Sequence, residues 1–156
     1  MIISDDLQRL LPLAVRWAEE QERKILDNGY ALSRPYIQIA NEIGIEQPEK
    51  IRIWEVDDIP LPSHSELKEI ALAAELISPN TIGLTMGHGI FVRKDCQNDQ
   101  RLIVHELVHT MQYERMGGFM PFLSRYLQEC LSVGYQHAPM EQEATRIEKD
   151  IWVRLQ

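Results

Sequence analysis

Cysteine is scarce in this chain, and the two present are badly placed for each other. Cys96 and Cys130 form no CxxC or zinc-ribbon spacing, which excludes a disulfide framework and a thiolate metal knot. Cys130 lies on the apolar stripe Phe119, Phe122, Leu123, Tyr126, Leu127, Cys130, Leu131, where a thiol serves as a small buried hydrophobe. Cys96 is close enough in sequence to the motif described below to approach a metal bound there. Long apolar runs are missing too: none nears the roughly 20 residues of a membrane span. The start, Met1–Asp6, has no basic stretch leading into an apolar one, so no signal peptide is visible and a cytoplasmic protein is expected. Positive charge is in deficit, with 16 Lys and Arg against 24 Asp and Glu, net −8. That balance argues against nonspecific nucleic-acid binding and against an anionic membrane surface. Repeats, low-complexity tracts and linkers are absent, and the length suits one domain, residues 1–156, with its own core.

Against this plain background one string stands out. RLIVHELVHT contains His105, Glu106 and His109 in an HExxH motif. On a helix, positions four apart share a face, so two imidazoles from one rigid element can ligate one metal ion. Glu106, about 100° further round, is placed to orient or deprotonate a water. The motif points to a zinc hydrolase, usually a peptidase. Its context fits a helix over about 99–116: Asn98 and Asp99 offer N-caps, Leu102, Ile103, Leu107, Val108 and Met111 keep helical spacing, and Gly117-Gly118 end the run.

The rest reads as an α+β domain with helices at both ends and a small sheet beside the motif helix. Helices are expected over Asp5–Asn28 (with Pro12 forcing a later start or a kink), within Arg34–Ile45, and over Ser65–Ile77, Phe119–Val133 and Met140–Leu155. KIRIWEV, residues 50–56, alternates as a strand. TIGLTM and IFVRK form a second β-prone pair joined at Gly87-His88-Gly89. A strand just before the motif helix is either a substrate-pairing edge or an ordinary core strand. His88 is either a visitor to the cleft or an exposed turn residue.

A catalytic zinc takes three protein ligands and keeps one open position, so a third ligand must lie downstream. Glu141 and Glu143 open the last helix. At 100° per residue, Glu141 falls in the apolar arc of Ala144, Ile147, Ile151, Trp152 and Leu155, whereas Glu143 falls among Arg146, Asp150 and Arg154. Glu141 is therefore the expected ligand, and Glu143 is expected to be solvated or to support it. His137, on the preceding turn, is the rival.

HELVHTMQYERMG, YLQECLSVGY and APMEQEA together resemble the small bacterial HExxH proteins called minimal gluzincins or mini-zincins, and HExxH domains of unknown function with a downstream E-x-E-A helix. The likeness covers about residues 80–150. It implies a zincin-like fold and a third ligand at the first Glu of that helix, here Glu141. This sequence departs at Thr145, where those families carry Asp or Asn after the alanine, so the supporting carboxylate expected there is missing.

The mechanism expected from these residues is hydrolysis of a peptide or protein substrate at Zn²⁺ held by His105, His109 and Glu141. Glu106 serves as general base, and Tyr135 or His137 as a donor to the oxyanion. Two other readings remain: a zinc-binding protein of the same fold serving structure or partner recognition, and a helical interaction module with a coincidental motif. The intact Glu106 speaks against the first of these, because a structural site needs no general base.

Overall fold

A computed structural model describes residues 5–155. Most of the start from which the absence of a leader was read, Met1–Ser4, lies outside the described residues. Six helices and four strands follow in the order α1 (Asp5–Asn28), β1 (Tyr30–Ala31), α2 (Arg34–Ile43), β2 (Arg52–Val56), α3 (Ser65–Ala73), β3 (Gly83–Met86), β4 (Gly89–Arg93), α4 (Gln100–Met116), α5 (Phe119–Val133) and α6 (Pro139–Leu155). The α+β class is as expected. No helix among the described residues is long and apolar enough to cross a membrane.

The sheet has the order β1-β2-β4-β3 and is mixed: β2 runs parallel to β4, and β1 and β3 are antiparallel to their neighbours. Alternation along β4 explains why Ile90, Phe91 and Val92 are all apolar. Ile90 and Val92 pack with Val104, Leu107 and Val108 of α4 on one face. Phe91 packs with Ala18 and Ile25 of α1 on the other. A strand covered on both faces has no polar side to show. Its partner β2 follows the same rule, with Ile53 beside Ile90 and Trp54 stacked on Phe91 at 5.8 Å.

Three local expectations change. Pro12 neither delays nor interrupts α1, which is helical from Asp5. The ring sits on an exposed face, and Gln8, whose carbonyl loses its partner, is exposed to water. The helix over Ser65–Ile77 stops at Ala73. Glu75 takes a left-handed φ of 59°, and the Leu76 amide turns back to the Ala71 carbonyl, which tucks Ile77 into the core. Leu131 and Leu155, placed above on apolar faces, are exposed near helix ends.

Candidate metal centre

α4 is a well-delimited platform. The Asp99 side chain accepts the Leu102 amide at 3.1 Å, and Gly117 closes the helix at φ 94°. Its apolar face, with Leu107 and Val108 fully buried, locks it to the sheet. Rotation about its own axis would expose those side chains, so His105, Glu106 and His109 are held toward the cleft between α4, β3, α5 and α6. β3 approaches α4 so closely that a Cβ on Gly83 would stand 2.9 Å from Leu102 Cδ1 and 3.4 Å from Glu106 Cγ. A larger residue there would require the Leu102 side chain to shift.

α6 runs beside α4 and brings Glu141 across the two histidines. His105 Nε2 lies 3.0 Å from Glu141 Oε1, and His109 Nε2 lies 2.9 Å from Oε2. The three donors fall within 4.8 Å of one another, the one such group of three among the described residues. Two imidazole nitrogens and a carboxylate, largely shielded from water at one point, are a donor set for a borderline cation such as Zn²⁺. Electrostatics agree with the geometry. Burial works against the charge on Glu141, but hydrogen bonds from His105, His109 and Tyr126 hold its carboxyl far below the usual range. Burial likewise opposes charge on His109, and the Glu141 bond and charge outweigh it, raising that pKa to about 9.

Around the trio lies a layer of supports that the sequence pattern did not announce. Gln112, fully buried on α4, donates through Nε2 to the Met140 carbonyl at 2.9 Å and to Glu143 Oε1 at 2.8 Å. Both partners are acceptors only, which fixes the amide orientation. Gln112 Oε1 therefore faces His109 Nδ1, 2.8 Å away, and that nitrogen must carry a hydrogen. In its neutral form His109 then presents a bare Nε2 to the site. Glu143, expected to be solvated or to support the third ligand, bonds Gln112 and is held in turn by Arg115 at 2.8 Å. Tyr126, from the apolar stripe of α5, gives its hydroxyl to Glu141 Oε2 at 2.5 Å. Glu129, another buried polar residue on α5, accepts the Met140 amide at 2.8 Å and so caps the start of α6. Thr85 of β3 donates to Glu106, with its hydroxyl 2.7 Å from Oε1 and 3.0 Å from the backbone carbonyl. Sequence signals for two of these existed: Tyr126 and Glu129 lie on the buried side of α5, and a buried phenol or carboxylate needs a polar partner.

Tyr135 lines the cleft; burial, then the charges of Glu141 and Glu106, push its pKa up, so the phenol keeps its proton. His137 is exposed and stands outside the trio. Cys96 packs against the main core, away from the three donors. Cys130 is buried, which with the charges of Glu141 and Glu129 raises its thiol to about 12. His88 neither visits this cleft nor lies exposed. Its Nε2 bonds Glu114 at 2.8 Å and its amide bonds Glu22 at 2.8 Å, which ties the β3–β4 turn to α4 and α1. Of the two strands preceding α4, the nearer, β4, is central, and β3 is the sheet edge.

No model of a known protein family matches this chain, and neither does any curated protein or solved structure.

Proposed function

We propose that this protein is a zinc-dependent hydrolase of peptide bonds with a zincin-like architecture. The observation that carries the reading is the convergence of His105 and His109 from one helix and Glu141 from another, with Glu106 beside them in an open cleft of about 990 Å³. A site serving structure alone has no use for such a cleft and usually takes a fourth protein ligand. Zn²⁺ bound by the trio would supply Lewis acidity and lower the pKa of a water.

The chain's own groups do the rest. Thr85 anchors Oε1 of Glu106, which leaves Oε2 to accept a proton from the water that adds to the scissile carbonyl. Glu106 then returns that proton to the amine nitrogen as the C–N bond breaks. Tyr135, protonated and facing the cleft, donates to the oxyanion. Gly83 and Thr85 lie on the free edge of the sheet, where an extended substrate backbone can pair with β3.

Peptide hydrolysis by the zinc-loaded protein tests this. Glu106→Gln is expected to lower turnover by about 100-fold or more while zinc stays bound. Equal turnover in wild type and variant would remove Glu106 from its role.

A further inference from the structure

The cleft does not end at the trio. It continues into a chamber walled by Ala14 and Trp17 of α1, Ile70 and Ala71 of α3, and Leu123 and Leu127 of α5. Its volume, about 990 Å³ with the mouth included, stands at the upper end of the roughly 300–1,000 Å³ typical of sites for whole small molecules. That is well beyond what one side chain fills. Ala14 and Ala71 both belong to this lining, where larger side chains would take up the space. Among the charged residues on its lining outside the metal centre, Arg101 is matched by Glu148 at 2.6 Å, which leaves Glu75 and Asp99 as excess negative charge. An open apolar wall of this extent, continuous with a polar site, marks a surface meant to be covered by a ligand.

We propose that the chamber binds one side of the substrate, and that the substrate is a peptide carrying large apolar residues at alternate positions beside the scissile bond, on the face an extended strand turns toward the chamber, with acidic residues excluded from those positions. This rests on the hydrolase reading for what happens to the bound peptide, but not for its binding. Backbone pairing along β3 gives affinity without regard to side chains, and the chamber supplies the selection.

Zinc-loaded Glu106→Gln protein is the reagent of choice, with binding measured by calorimetry on matched short peptides. In one, leucine and phenylalanine occupy two positions separated by a single residue; in the others, serine or aspartate replaces them. The apolar peptide is expected to bind at least about tenfold tighter than the serine form, with the aspartate form weakest. Filling the chamber with Ala71→Trp, or with Ala14→Trp, is expected to erase that preference while zinc stoichiometry is unchanged. Affinities within about twofold across the peptides, or a preference that survives filling in a folded variant, would overturn the proposal. If neither variant folds, the peptide comparison on unaltered walls decides alone. Wild-type turnover separates the two readings. Selective binding without cleavage keeps the chamber and defeats the hydrolase; cleavage without selectivity does the reverse.

Discussion

At His109 the ring nitrogen turned away from Glu141 is held by Gln112, and the same amide grips the first turn of α6 through the Met140 carbonyl and Glu143. One side chain thus sets both the tautomer of neutral His109 and the position of the helix that brings Glu141. Gln112→Ala is expected to weaken zinc affinity by about 10- to 100-fold, as loss of a ligand's outer partner does. Competition with a chromophoric chelator reads this out, and unchanged affinity would show that the trio needs no such support. Gln112 carries no distinguishing pattern, because a glutamine in a helix is ordinarily a solvated residue. Its role arises only when α6 lies against α4.

The same residues set a pH dependence in the metal-free protein. His109 is raised from 6.5 to about 9, so its pairing with Glu141 contributes fully below pH 6.5 and is lost as pH rises through about 9. Glu141 is depressed below 4.5, so its own contribution is present above pH 4.5 and lost only on strong acidification. Chelator-treated protein is therefore expected to show its highest melting temperature between these limits and a decline toward pH 9. Glu141→Gln should flatten that decline. A melting temperature constant across the range in the untouched protein would contradict the pairing.

Elements were largely legible because each one's periodicity agrees with its environment. α4 and α5 carry apolar faces that end at glycines, and their observed limits follow those signals. The third member of the trio was legible for the same reason: Glu141 sits on the buried arc of α6 with Ala144 and Ile151, whereas Glu143 is not among the buried residues of that helix. Where local pattern and tertiary packing disagree, packing wins, as in the early stop of α3 at Ala73, whereas α1 runs through Pro12 because its ring and the freed carbonyl face water. The face of α4 opposite the cleft is the element-scale foundation of the site. Leu107 is fully buried between the sheet and α6. Leu107→Ala is expected to cost about 2–5 kcal/mol of stability. Denaturant unfolding measures it, and a cost under about 1 kcal/mol would mean that the platform is not anchored through this face.

At the scale of the molecule, the sheet is sandwiched between α1 on one face and the α2, α4 and α6 layer on the other. The metal centre opens beside the edge strand β3, where α5 adds Tyr126. That strand order was beyond reach of sequence alone: β2 and β4 are parallel and separated by a whole helix, and no local signal records such a pairing. The hairpin of β3 and β4 was legible, since Gly87-His88 is a two-residue turn between apolar runs. Which of its strands forms the edge was not, because that depends on where β2 docks. The cleft and its chamber likewise belong to no single segment, being built from α1, α3, α5 and the sheet edge.

The central claim is that His105, His109 and Glu141 form one metal site, and metal content tests it most directly. Elemental mass spectrometry on protein reconstituted with zinc and dialysed should find one zinc per chain in wild type and in Glu106→Gln. His109→Ala and Glu141→Gln should lose it. No retained zinc in wild type, or full retention in both ligand variants, would contradict the account.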